Sequence, residues 1–150
     1  MSKVRYAKEL VLHSKRNLEV KVPMDAITSS MNATISFRKI IGYDMEVREC
    51  FIVLYLNSLN KILGYSIEST GGISQTIVDV RLLFAKALQS GCTQIIVAHN
   101  HPSGGLEPSK QDKYITEKIK DSGKILNINL LDHFIITEES FYSFADNGYL

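Results

Sequence analysis

Two histidines, His99 and His101, lie one residue apart where the apolar run QIIVA ends, in a chain that contains only four histidines. Alternate residues of a β-strand project from the same face, so both imidazoles are expected on one face at the carboxyl end of a buried strand. Pro102 has no backbone N–H and the following SGG favours a turn, which predicts that the strand stops here. The two rings are therefore expected close enough together to bind one metal ion.

Asp112 is the candidate third ligand, in the first turn of a helix predicted to begin at Pro108-Ser109. A helix that starts near the strand end can direct this carboxylate back toward the histidines. Two imidazoles and one carboxylate are a good ligand set for Zn²⁺, and three protein ligands leave the fourth tetrahedral position open for water, as in catalytic sites. Bound zinc lowers the pKa of that water from about 16 to about 7, which gives a nucleophile at neutral pH.

Each part of this pattern also has a purely structural interpretation. Ser109-x-x-Asp112 is a capping-box pattern, in which Ser109 closes the helix start and Asp112 is favoured by the helix dipole. A histidine at a strand end often only hydrogen-bonds a loop. The combination at this spacing, behind a buried strand and ahead of a helix, favours the metal, and the two interpretations are compatible because a capped helix start is a rigid mount for a ligand.

A hydrolase also needs a proton acceptor for the metal-bound water. Glu49 is the leading candidate because it opens the buried strand ECFIVLYL, where a carboxylate is costly unless it is paired or functional. Glu46 and Glu68 are alternatives at less demanding positions.

The elements around these residues follow the order β-β-α-β-α-β-β, which predicts a mixed α/β or α+β layer fold. The first strand, 49–56, is apolar on both faces, and a second strand follows the turn NSLN. The helix DVRLLFAKALQSG carries an apolar stripe at helical spacing: Val80, Leu83, Phe84, Ala87 and Leu88. The helix SKQDKYITEKIKDSG is predicted to stop at Gly123, and ILNINLLDHFIIT supplies one or two strands.

The first 44 residues are interpreted as an N-terminal extension, and the compact domain as residues 45–150. VRYAKELVLH has strand character. A short amphipathic helix is predicted from Asp25, a candidate N-cap, to Gly42, a candidate stop. His13, in a charged stretch of this extension, is predicted to be a surface residue.

Composition restricts the class of protein. The 150 residues are 45% hydrophobic and 22% charged, as in a soluble globular domain. A net charge of +1 gives no indication of a polyanionic partner such as a nucleic acid. Cys50 and Cys92, each beside apolar residues, are predicted to be buried free thiols in a reducing compartment. No signal peptide and no membrane segment is recognisable, so a cytoplasmic location without membrane association is expected.

The spacing His99-x-His101, seven residues, Ser109, two residues, Asp112 resembles the H-x-H-x(7)-S-x-x-D signature of JAMM (MPN-plus) metalloproteases. The surrounding segments AHNHPSG, PSKQD, LLDHFIIT, ECFIVLYLN and GYSIESTGG resemble the bacterial RadC-like JAB domain more closely. The resemblance covers about Met45 to Leu150, and a five-residue motif within that much matching context is a strong signal.

This resemblance implies a cytidine deaminase-like JAB/MPN fold, a curved β-sheet flanked by helices. It implies His99, His101 and Asp112 as zinc ligands. It also implies Glu49 as the general base and then proton donor to the leaving amine, and Ser109 as a hydrogen-bond donor to the oxyanion. Full-length RadC proteins carry an N-terminal helix-hairpin-helix region, whereas only about 44 residues with no G-x-G hairpin precede the domain here, so the family's DNA-repair role is poorly supported.

Three functions are carried forward. The first is a zinc-dependent hydrolase of amide or isopeptide bonds, a JAMM-type metallopeptidase acting on a peptide or protein. The second is a metal-dependent nuclease or DNA-processing protein of the RadC type, and the third is a non-catalytic interaction module. His133 has two interpretations, a buried histidine hydrogen-bonded in the core or a residue behind the metal ligands or in the substrate cleft. The oligomeric state is not indicated.

Overall fold

The computed structural model describes residues 15, 25–71 and 78–150. The predicted strand VRYAKELVLH and His13 lie outside these residues. Within them the chain forms three α-helices, one short 3₁₀ helix and five strands, which are, in order, α1 (Ser30–Ile41), the 3₁₀ helix (Gly42–Glu46), β1 (Glu49–Leu56), β2 (Ile62–Gly71), α2 (Val80–Ser90), β3 (Gln94–Asn100), α3 (Lys110–Leu126), β4 (Asn129–Ile136) and β5 (Phe141–Ser143).

The five strands form one mixed sheet in the order β2-β1-β3-β4-β5. Strands β3 and β4 are parallel, and the other neighbouring pairs are antiparallel. Two parallel neighbours need a crossover connection, and α3 provides it. Helices lie on both faces of the sheet, so the predicted mixed α/β fold with a helix-flanked sheet is confirmed.

The alternation of side chains along β1 divides the interior into two cores. Ile52, Leu54 and Leu56 point to the face covered by α1. Phe51 and Val53 point to the face covered by α2 and α3. All five are at most 3% exposed, which confirms β1 as a strand buried on both sides. Odd-numbered positions of β1 and β3 therefore face α3, and this face carries the candidate site.

Helix α1 begins later than predicted. Asp25 is not its N-cap; the hydroxyl of Ser29 accepts the backbone N–H of Asn32 and caps a helix that starts at Ser30. Gly42 ends the helix at φ 55°, as predicted. Phe37 of α1 is fully buried against the sheet, where its ring lies 6.2 Å from that of Phe134. The helix therefore contributes to the core of the sheet domain.

Helix α2 has the predicted apolar stripe with one exception. Four of the five stripe residues are buried, whereas Leu88 is 57% exposed, so its assignment to the buried face is wrong. At 100° per residue Leu88 lies roughly 90° from the centre of the stripe, at the last turn of the helix. Asp79 caps the helix start, and Gly91 ends it in the left-handed conformation at φ 69°.

Gly123 was predicted to stop α3, and this prediction is wrong. The helix continues to Leu126, and Asn127 ends it at φ 55°. Gly123 instead permits a close approach, because a Cβ atom at this position would collide with the backbone carbonyl oxygen of Ile128. The chain therefore turns tightly from α3 into β4, with the Ile128 N–H donating to the Gly123 carbonyl at 2.9 Å. No helix among residues 25–71 and 78–150 is long and apolar enough to cross a membrane.

Candidate metal centre

The end of β3 and the start of α3 bring three potential metal ligands together. His99 is the penultimate residue of β3 and is 1% exposed. His101 follows the strand, and its N–H donates to the carbonyl of Ile136 on β4, which holds it beside the sheet. Gly104, at φ 82°, closes a turn by donating its N–H to the carbonyl of His101. The loop then leads directly to α3 and Asp112.

The ring nitrogens and the carboxylate converge on one point. His99 Nε2 lies 3.0 Å from His101 Nε2 and 3.1 Å from Asp112 Oδ1. His101 Nε2 lies 4.0 Å from Asp112 Oδ2. The three ligand atoms all lie within 4.8 Å of one another. The structure therefore brings together His99, His101 and Asp112, as a group that could hold a metal ion.

A hydrogen bond behind His101 orients its ligand atom. His101 Nδ1 lies 2.7 Å from the carbonyl oxygen of Gly105, and since a carbonyl only accepts, Nδ1 carries a proton. Nε2 is therefore the ring nitrogen that faces His99 and Asp112. Close approach of lone pairs and a carboxylate is repulsive unless a cation lies among them, either a proton or a metal ion. This donor set fits a metal of the zinc type.

The carboxylate of Asp112 is fixed by the helix cap. Its Oδ2 accepts the Ser109 N–H at 2.7 Å and the Ser109 hydroxyl at 2.6 Å, and the Asp112 N–H donates to Ser109 Oγ at 3.1 Å. Burial favours the neutral acid, but the hydrogen bonds from His99 and Ser109 outweigh it and hold the pKa of Asp112 below its usual range. The capping box and the ligand geometry thus coexist, with Oδ2 held by the cap and Oδ1 directed at His99.

A family model described as RadC-like JAB domain matches residues 26–149. The chain belongs to the RadC-like JAB domain family. The match includes α1, which lies in the segment interpreted as an N-terminal extension, and the division at residue 44 stays a prediction.

The relatives of this RadC-like chain are named UPF0758 proteins. One from Flavobacterium johnsoniae is 48% identical over 139 residues, which cover 93% of this chain and 60% of that protein. One from Methanosarcina mazei is 41% identical over 103 residues, covering 69% of this chain and 45% of that protein. One from Porphyromonas gingivalis is 35% identical over 150 residues, covering 96% and 66%. The chain thus spans about half to two thirds of the length of these relatives.

The strand register predicts that Glu49 lies near the candidate metal ligands of this RadC-like domain. Phe51 pairs with His99, and its ring stacks on the imidazole with centroids 6.1 Å apart and planes 6° apart. Continuing this antiparallel register by two residues brings Glu49 opposite His101, on the same face as Phe51. Glu49 is partly exposed, so its carboxylate has access to solvent.

The other two candidate bases differ in their surroundings. The side chain of Glu68 is 2% exposed and pairs with Lys86 of α2 at 3.0 Å, and its Oε1 accepts from the hydroxyl of Tyr55 at 3.3 Å, so it is engaged under α2. Glu46 lines a cleft of about 240 Å³ together with His101 and Glu138. The pKa of Glu138 is raised, because its protonated carboxyl can donate a hydrogen bond to the neighbouring carboxylate of Glu46. Glu46 therefore stays an alternative to Glu49, whereas Glu68 does not.

Two residues behind the ligands, Thr116 and His133, belong to the same network. His133 is fully buried, with Nε2 2.8 Å from His99 Nδ1 and Nδ1 2.6 Å from Thr116 Oγ1. Burial, with His99 nearby, holds the pKa of His133 well below its usual range. His133 is thus a buried histidine that is hydrogen-bonded in the core, and it also lies behind a candidate metal ligand, so both interpretations given for it above apply. Thr116 had not been considered; its position one helical turn after Asp112 was the available signal.

Proposed function

We propose that the chain is a zinc-dependent hydrolase of amide or isopeptide bonds in peptides or proteins. The observation that carries the proposal is the convergence of two imidazole nitrogens and a carboxylate oxygen, His99 Nε2, His101 Nε2 and Asp112 Oδ1, at the surface end of a buried strand. Membership in the RadC-like JAB domain family supports a hydrolase. The choice of zinc follows from the ligand set, two imidazoles and one carboxylate, with a coordination position open.

In this proposal His99, His101 and Asp112 hold the metal. Bound zinc would supply a water of lowered pKa and polarise the scissile carbonyl. Glu49 accepts the proton of the attacking water and donates it to the nitrogen of the leaving amine. Ser109 donates a hydrogen bond from its hydroxyl to the oxyanion of the tetrahedral intermediate, which requires the hydroxyl to turn away from Asp112 Oδ2, its acceptor in this structure.

The test combines a metal assay with turnover. Wild-type protein is expected to bind about one zinc per chain, and His99→Ala or Asp112→Ala to lose it. Glu49→Gln is expected to keep zinc but to lose at least about 100-fold in the rate of cleavage of linear or lysine-linked peptides. Glu117→Gln, at an exposed position of α3, is the matched control and should behave as wild type. Unchanged turnover in Glu49→Gln with loss in Glu46→Gln would assign the base to Glu46.

A RadC-type DNA-processing activity is the alternative that family membership leaves open. Net charge of +1 supports a peptide over a polyanion as substrate. Incubation with plasmid DNA alongside the peptides separates the two, because nicking without peptide cleavage would reject the peptidase. Zinc binding without turnover on either substrate would favour the third function, a non-catalytic module.

The cysteines bear on where such an enzyme works. Cys50 and Cys92 are both buried free thiols, as predicted. Free thiols are common in the reducing cytoplasm, so they support the proposal of a cytoplasmic location.

A further inference from the structure

A continuous chain of hydrogen bonds links the backbone of one candidate ligand to the imidazole of another. It starts at the carbonyl oxygen of Asp112, passes through the Thr116 hydroxyl and both ring nitrogens of His133, and ends at His99 Nδ1. The three contacts measure 2.6, 2.6 and 2.8 Å. Donor and acceptor roles along it follow from counting protons.

Thr116 sets the direction of the chain. Its hydroxyl has a single proton, and the Asp112 carbonyl 2.6 Å away can only accept, so the proton points to that carbonyl. The Thr116 oxygen must then accept from its other partner, which is His133 Nδ1. The proton of a neutral His133 therefore resides on Nδ1.

The ring of His133 is completely enclosed. The residue is 0% exposed. Its ring stacks on Phe144 with centroids 4.7 Å apart and lies edge-on to Phe51 at 5.5 Å. With its Nδ1 proton directed at Thr116, His133 can accept a hydrogen bond at Nε2 from the Nδ1–H of His99.

We propose that Thr116 and His133 are positioning residues for His99 in the metal-bound protein: with a metal ion at Nε2, the ring proton of His99 lies on Nδ1 and is accepted by His133 Nε2, which fixes the orientation of the ring. The proposal rests on the metal site of the proposed function and extends it inward by two residues. His101 is oriented by a backbone carbonyl of its own loop, that of Gly105. His99 is oriented by side chains, so its orientation can be changed by mutation.

The chain also ties the two ligands together mechanically. Asp112 and Thr116 lie one turn apart on α3, while His99 and His133 lie on the adjacent parallel strands β3 and β4. The hydrogen bonds therefore fix the first turn of α3 against the end of β3, which sets the separation between the Asp112 carboxylate and His99. Partners of this kind behind a metal ligand contribute about 10- to 100-fold in metal affinity.

The experiment compares Thr116→Val, which keeps the shape of the side chain but has no hydroxyl, with Thr116→Ser, which keeps the hydroxyl. Zinc affinity is measured by competition with a chromogenic chelator. Thr116→Val is expected to weaken zinc binding about 10- to 100-fold, and Thr116→Ser to stay within about threefold of wild type. Thermal unfolding of the metal-free proteins shows whether both variants are folded.

A second readout reports the ring protons without turnover. Long-range ¹H–¹⁵N spectra of the histidine rings in zinc-loaded protein are expected to show His99 and His133 protonated on Nδ1 in wild type and Thr116→Ser. In Thr116→Val, His133 loses its acceptor at Nδ1, so its proton is expected to shift to Nε2, where it opposes the hydrogen bond with His99. His133→Gln, whose amide oxygen can accept from His99, should bind zinc more tightly than His133→Leu.

Zinc-loaded wild-type protein with His133 protonated on Nε2, or a folded Thr116→Val that binds zinc as tightly as Thr116→Ser, would overturn the inference while leaving the metal site intact. Failure of wild type itself to bind zinc would instead reject the metal site, and with it both proposals.

Discussion

Asn100 lies between the two candidate ligands. Among the polar side chains in the described part of the fold, its removal is predicted to lower the free energy of unfolding the most. It is fully buried and points to the face opposite His99. Its Oδ1 accepts the Cys50 N–H at 2.7 Å, and its Nδ2 donates to the carbonyls of Met45 at 2.8 Å and Arg48 at 2.9 Å. One carboxamide thus holds the backbone on both sides of Glu49.

Asn100→Ala would remove these hydrogen bonds, together with a longer one of 3.5 Å to the Asp44 carbonyl. The Cys50 N–H and the Met45 carbonyl would lose the Asn100 side chain as a partner, whereas the Arg48 carbonyl would keep its contact with Cys50 Sγ at 3.9 Å. Each unsatisfied buried group costs about 1–3 kcal/mol, and water entering the vacated space would satisfy some of them. A loss of about 3–5 kcal/mol is expected, a large share of the roughly 5–15 kcal/mol that stabilises a domain. Because the backbone on both sides of Glu49 would lose this anchor, turnover of the proposed hydrolase is expected to fall in any Asn100 variant that still folds.

Urea unfolding monitored by circular dichroism measures the free energy of unfolding. Asn147→Ala is the matched control, since this exposed asparagine donates one side-chain hydrogen bond to the carbonyl of Ser143, and its loss should cost at most about 1 kcal/mol. If Asn100→Ala were destabilised no more than Asn147→Ala, the view that this amide anchors the segment around Glu49 would be refuted.

Two further predictions concern buried positions. Gly123→Ala is expected to destabilise the fold by at least about 2 kcal/mol in urea unfolding, because the new methyl group collides with the Ile128 carbonyl. Gly64→Ala is the control and should not be destabilised by a collision, because its methyl group meets no atom within 4 Å. Equal stability of the two variants would contradict the close contact at Gly123. Burial raises the pKa of the Cys50 and Cys92 thiols. A thiol-specific reagent at pH 8 should therefore label both cysteines far more slowly in native than in urea-unfolded protein. Rapid labelling of the native protein would contradict their burial.

The sequence predicted features that depend on local spacing. His99 and His101 share a face because they are two apart on a strand, and Ser109 and Asp112 meet because they are three apart at a helix start. Contacts between residues far apart in the chain could not be predicted in this way. The partnership of His133 with His99 depends on the parallel pairing of β3 and β4, which no local pattern specifies.

The wrong predictions have a common physical origin in tertiary contacts. Gly123 resembles a helix stop by residue type, but its conformation is helical and its lack of a side chain serves the approach to Ile128. Asp25 is as good an N-cap by type as Ser29, and only the position of α1 on the sheet distinguishes them. Leu88 has helical spacing but falls beyond the width of the surface that α2 covers.

The β3-α3-β4 crossover has a consequence for how this protein can change over time. In the proposed function, the three metal ligands and the two residues that position His99 all belong to one continuous stretch, 94–136, whereas Glu49 belongs to β1, far upstream. Metal binding and proton transfer would therefore be encoded by separate parts of the chain. A single substitution at Glu49 would then convert the proposed hydrolase into a protein that still binds the metal and keeps its fold, and the reverse change would restore activity without altering the metal ligands.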